Sequence, residues 1–241
     1  MSICYGDAVS PFFYGGSMRY DNEIKLQQSL KVVIKEFENY KKNMMDKSIL
    51  VIYRDRETKN LDYIIITFSG NNYYHLTGLV YKEDNGNNEK SKHFGSKFYN
   101  ALKDKKLSVS ELKIKDNNTE LKIKALPFVS SQYRYCNMTG DFNESGIKLE
   151  LDKVIGNTKT CLGLRKIGYK KYVPASSLYD DTRKYAKISH QIVAIFIKET
   201  ADLQPYKTIK YVAKGHNLNN LKYEEELSKL FTLEEYKEKC K

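Results

Sequence analysis

The chain has 241 residues, 41 % hydrophobic and 29 % charged, which is enough for one large or two small domains and argues against wholesale disorder. No apolar run approaches the roughly 18–20 residues of a membrane span, and the N-terminus lacks the basic-then-apolar pattern of a leader, so a cytoplasmic protein is expected. The formal net charge of +11 is uneven: residues 113–216 hold nineteen basic and ten acidic side chains, against a net +3 for 1–112 and −1 for 217–241.

Residues 1–20 show no helical period and form a lead-in segment, with Phe12, Phe13 and Tyr14 docking on the body. Asp21 or Asn22 caps a helix in which Ile24, Leu26, Leu30, Val33, Ile34 and Phe37 follow helical spacing. Ser48–Tyr53 and Leu61–Phe68 form an antiparallel hairpin. A polar loop spans Lys82–Lys92, a helix follows over Lys90–Lys103, and Asp116–Thr119 caps another that Pro127 kinks or ends. Strands are predicted over 147–154, 157–166, 169–173, 190–198 and 208–213. Of these, Ile192–Ile197 has the unbroken apolar run of a strand buried on both faces. The predicted fold is α+β, N-terminal helices packed against a curved antiparallel β-sheet. Residues 21–216 form one domain, or two lobes at 21–112 and 113–216, followed by a peripheral helical tail over 217–241.

Residues 62–79 are the most informative stretch. The strand-like run Tyr63–Phe68 breaks at Ser69-Gly70-Asn71-Asn72 and restarts in a segment carrying His75 and Thr77. If that segment is extended, the two side chains share one face beside Gly78. An imidazole and a hydroxyl would then stand where backbone can approach a phosphate.

Tyr73-Tyr-His-Leu-Thr-Gly-Leu79 is followed by Phe98-Tyr-Asn-Ala-Leu102 and Lys105-Lys-Leu-Ser108. After these come Thr119-Glu-Leu-Lys-Ile-Lys-Ala-Leu-Pro127, Met138-Thr-Gly-Asp-Phe142, Tyr172-Val-Pro174 and Asp181-Thr-Arg183. The ordered set, from about residue 24 to 215, resembles the phage-associated barnase/EndoU/colicin/RelE-like nuclease domains of the fourth phage subfamily. The resemblance implies a barnase/RelE-like fold and metal-independent cleavage of RNA by a protein of phage or mobile-element origin.

Such cleavage needs a base for the 2′-hydroxyl, an acid for the leaving 5′-oxygen and cations for the phosphate. His75 is the acid/base candidate, against a structural histidine; Thr77, Arg183 and Lys214 are candidate phosphate partners, each also explicable as a strand residue or a solvated charge. Lys106 with Ser108, Lys170-Lys171-Tyr172 and Lys210-Tyr211 are candidates for nucleic-acid binding, since cations beside aromatic rings grip single strands. His93, His190 and His216 are weaker candidates. Cys4, Cys136, Cys161 and Cys240 match neither a zinc motif nor a disulfide framework, and no metal or cofactor is expected. Walker, dinucleotide-binding and nucleophile-elbow motifs are absent. The partner is RNA, including tRNA or a guide RNA, or a nucleic-acid-binding host complex. A second reading keeps the scaffold without catalysis, as an inhibitor of a host defence system such as an anti-CRISPR. The basic half is then an interaction surface.

Overall fold

Helix α1 (Tyr14–Asn43) starts ahead of the cap expected at Asp21 or Asn22. Leu26, Leu30, Val33, Phe37 and Tyr40 recur at spacings of three and four, and Met44 continues the row, so one stripe is buried while Lys25, Lys31, Lys35 and Glu38 face water. The computed structural model describes residues 14–84, 88–144, 149–234 and 236; the expected docking of Phe12 and Phe13 lies outside them. Among the described residues no helix is long and apolar enough to cross a membrane.

Strands β1 (Lys47–Arg54) and β2 (Leu61–Thr67) form the expected hairpin, with Ser48 opposite Thr67 and Arg54 opposite Leu61. Helix α2 (Gly70–Thr77), strand β3 (Leu79–Tyr81), helix α3 (Asn88–Lys103) and strand β4 (Leu112–Ile114) follow, β3 and β4 making a separate antiparallel ribbon. Helices α4 (Thr119–Val129) and α5 (Gln132–Tyr135) then lead into β5 (Met138–Asp141), β6 (Lys153–Gly156), β7 (Cys161–Gly168), β8 (Lys171–Leu178), β9 (His190–Glu199) and β10 (Thr208–Val212). Pro127 sits inside the last turn of α4 without ending it.

The curved antiparallel sheet expected from the sequence is incorrect, although the α+β class holds. Seven strands close into a mixed barrel in the order β1-β2-β8-β7-β6-β5-β9, with β9 returning to β1 and β10 attached at the rim. Closure depends on β9, whose ten residues pair with β1 along one edge and with β5, then β10, along the other. The second departure is the seam between β2 and β8, which is parallel, Ile65 facing Lys171 and Ile66 facing Tyr172. About a hundred residues separate these strands, long enough for the crossover that a parallel pair requires. Strand-by-strand patterning carries no signal for such a long-range partner.

Alternate residues from around the ring, including Val51, Ile64, Ile155, Leu162, Leu164 and Ile195, join Phe37 of α1, Tyr73 of α2 and Leu126 of α4 in one core. The opposite faces of β1 and β9, with Leu50, Ile52, Val193 and Phe196, are covered by Leu218, Leu227 and Phe231. The described part of the C-terminal segment packs onto the barrel. Its described helix is the single turn α6 (Glu225–Ser228), and Tyr63 donates a 2.6 Å hydrogen bond to Glu226. Ile192–Ile197 is buried on both faces, as its apolar run predicts.

Candidate functional site

The segment carrying His75 is a helix, not an extended strand, so His75 and Thr77 do not share a face. Ser69, in an extended conformation, caps α2, and Asn72 reaches back to accept from its backbone N–H at 2.8 Å. Gly78 ends the helix in the left-handed region at φ 71°, the conformation that favours glycine. Between the caps, Tyr73, Tyr74, Leu76 and Thr77 are buried, and the Tyr73 hydroxyl donates to the Val33 carbonyl of α1 at 2.8 Å. Packing against α1, α3, α4 and β8 outweighs the strand propensity of this aromatic and β-branched run.

His75 lies half-buried in the last turn of α2, its ring 5.5 Å from the Tyr74 ring. Burial, followed by the positive field of Arg165, Lys115 and Lys122, pushes its pKa down to about 4, with Asp84 opposing. The imidazole is therefore neutral at physiological pH, with a lone pair free to accept a hydrogen bond, although the same surroundings weaken it as a base. Tyr74 anchors the acidic side of this environment, donating to Asp84 at 2.8 Å and accepting from the Tyr81 N–H at 3.1 Å.

The cations come from three separate elements. Lys115 follows β4, Lys122 lies on α4 and Arg165 on β7. Arg165 and Lys115 are exposed, and Arg165 also lies 3.6 Å from Glu150. Lys122 is only 6 % exposed, and its side-chain ammonium makes no hydrogen bond or ion pair to any described residue. Burial and then the neighbouring Lys115 lower its pKa, with Asp116 opposing. A lysine held this way, its stem buried and its ammonium unpaired, gains from an incoming anion. Sequence inspection missed Lys122, yet helical counting within Thr119–Pro127 places it on the same face as the buried Ala125, Leu126 and Val129. A charge on an apolar stripe was the available signal.

The other candidates are dispersed. The Thr77 hydroxyl is fully buried, donates to the Tyr74 carbonyl at 2.9 Å and accepts from the Leu79 N–H at 3.1 Å, fastening the end of α2. Arg183 clasps Asp181 through Nε at 3.0 Å and Nη2 at 2.6 Å on the surface. Lys214 is exposed in the turn after β10. Neither Arg183 nor Lys214 is among the charges that dominate the surroundings of His75. Lys170 pairs with Asp62 at 2.6 Å and lies 4.3 Å from the Tyr63 ring centre. Tyr172 is buried and Lys171 is exposed. Lys210 lies over the Tyr133 ring, and Tyr211 packs against the main core. Because β2, β1 and β9 separate β8 from β10, the Lys170–Tyr172 and Lys210–Tyr211 pairs do not adjoin. Lys106 is exposed beyond α3, and Ser108 shares a 2.7 Å hydrogen bond with Ser110.

His190, at the start of β9, accepts from the Arg56 N–H at 3.1 Å, stacks near Tyr53 and is buried, a structural arrangement. Among the described residues, no group of three or more His, Cys, Asp and Glu side chains could hold a metal ion.

No curated protein and no solved structure matches the chain. Residues 33–215, most of its length, match a nuclease-like family and include α2, the three cations and the whole barrel. The chain belongs to the family described as phage-Barnase-EndoU-ColicinE5/D-RelE like nuclease 4.

Proposed function

We propose that the protein is a metal-independent endoribonuclease whose reacting phosphate sits between His75 and Lys122. The observation that supports this reading is that Lys115 and Lys122 meet at Gly78, three residues from the half-buried His75, whose ring also feels the charge of Arg165. The neutral His75 takes the proton of an RNA 2′-hydroxyl, whose oxygen attacks the adjacent phosphorus. The bond from phosphorus to the 5′-oxygen breaks, and Lys122 supplies the proton to that leaving oxygen. Its lowered pKa makes the ammonium a better acid than an exposed lysine. Arg165 and Lys115 neutralise the charge that builds on the non-bridging oxygens. The products are a 2′,3′-cyclic phosphate and a free 5′-hydroxyl, and proton exchange with water resets both side chains. Thr77 contributes by holding the turn at Gly78.

The test is incubation of labelled RNA with the full chain in EDTA, beside His75→Ala and Lys122→Met. Cyclic-phosphate ends that form with the wild type and fall at least about 100-fold in both variants support the reading. Salt-sensitive RNA binding without cleavage overturns it and makes the chain a non-catalytic binder on the nuclease scaffold.

A further inference from the structure

A cleft of about 590 Å³ opens between α1, the end of β4 and the start of α4. Its size falls within the roughly 300–1,000 Å³ typical of small-ligand sites. Val32, Ile114 and Ile123 provide an aliphatic floor continuous with the main core. Gln28 and Asn117 stand on the rim, exposed, with side-chain amides that bond to no described residue. Asp116 adds a carboxylate, one oxygen of which already accepts from the Asn118 N–H at 2.8 Å.

The cleft adjoins the His75 site through two connections. Lys115 acts electrostatically on His75 and Lys122, while the next two residues, Asp116 and Asn117, line the cleft. Thr119 lines the cleft and lies one helical turn, about 4.5 Å along the axis, from Lys122. The loop 115–117 thus links the two, with Lys115 on the side of His75 and Asp116 and Asn117 in the cleft.

We propose that this cleft is a nucleobase subsite that selects the residue beside the scissile phosphate. The inference rests on the ribonuclease reading for the identity of that phosphate. An aliphatic floor suits the apolar face of a base. Free amides suit its edge, as Asn and Gln do when they bond two adjacent groups of adenine. The Asp116 carboxylate accepts from an exocyclic amine, which adenine, cytosine and guanine carry, whereas uracil offers only its ring N3–H flanked by two carbonyls that the carboxylate repels. The subsite therefore discriminates against uracil.

The experiment measures equilibrium binding of 2′-fluoro tetranucleotides of A, C, G and U, which cannot be cleaved, to the full chain and to a Gln28→Ala/Asn117→Ala variant. Both substitutions are on exposed side chains, and folding is checked by thermal melting. At least one amino-bearing base should bind about tenfold more tightly than uracil, and the variant should lose that preference. Equal binding of all four bases, or a preference untouched in the variant, overturns the subsite. Cleavage of ordinary RNA is scored separately. Cleavage without base preference sinks the subsite and leaves the ribonuclease standing. Preference without cleavage keeps a base-binding cleft and sinks the ribonuclease.

Discussion

Thr119 donates its hydroxyl to the carbonyl of Gly78 across 3.0 Å, joining the first residue of α4 to the residue that ends α2. The Lys115 N–H donates to the same carbonyl at 3.1 Å. One backbone oxygen thus fixes the elements that carry His75, Lys115 and Lys122. Thr119→Val preserves shape while deleting the hydroxyl, and it should lower stability by about 1–2 kcal/mol, measured by urea denaturation. No change in midpoint would mean that the contact does not hold the two helices together.

Gly78 itself has little room for a side chain. Its φ of 71° disfavours other residues, and an added Cβ would stand 3.0 Å from Lys122 Cδ and from Thr119 Oγ1. Gly78→Ala should cost roughly 1–3 kcal/mol and displace Lys122. Thermal melting reads the first effect, and the NMR titration of His75 the second.

The depressed pKa of His75 has a definite sign in stability. Folding favours the neutral ring, so the unfolded chain binds more protons as pH falls from 6.5 toward 4. Stability contributed by His75 is fully present above pH 6.5 and is lost through that window, by at most about 3 kcal/mol before allowance for partial exposure. His75→Gln should flatten the acid limb of a stability–pH curve. Wild type and variant with parallel curves between pH 4 and 6.5 would contradict this assignment. Added phosphate or RNA should raise the His75 pKa, since an anion offsets the three cations.

Lys122→Met keeps the buried stem and removes the charge. Stability should hold or rise by about 1 kcal/mol, because a partly desolvated ammonium beside Lys115 is lost. The His75 pKa should rise at the same time, while RNA affinity falls. A variant that is less stable and binds RNA unchanged would place Lys122 in a purely structural role.

The β1–β2 hairpin and the central strand β9 were legible because each is written in its own residues: two apolar runs around a polar turn, and six consecutive apolar side chains. The helix α2 was misread because Tyr73, Tyr74 and Thr77 favour strands, although Ser69 with Asn72 at one end and Gly78 at the other are cap signals. Barrel closure was not legible, since the seam between Ile66 and Tyr172 joins segments about a hundred residues apart. The same holds for the cations around His75. Lys115, Lys122 and Arg165 are three among 41 basic side chains, and only the folded chain gathers them.

Leu218, Leu227 and Phe231 lie beyond the family-matched residues 33–215, yet they seal Leu50, Ile52, Val193 and Phe196 from water. A recombinant fragment trimmed to the matched boundaries would lose that lid and expose a sticky apolar wall across β1 and β9. Such a fragment would self-associate, and an inactive preparation of it would say nothing about the chemistry at His75.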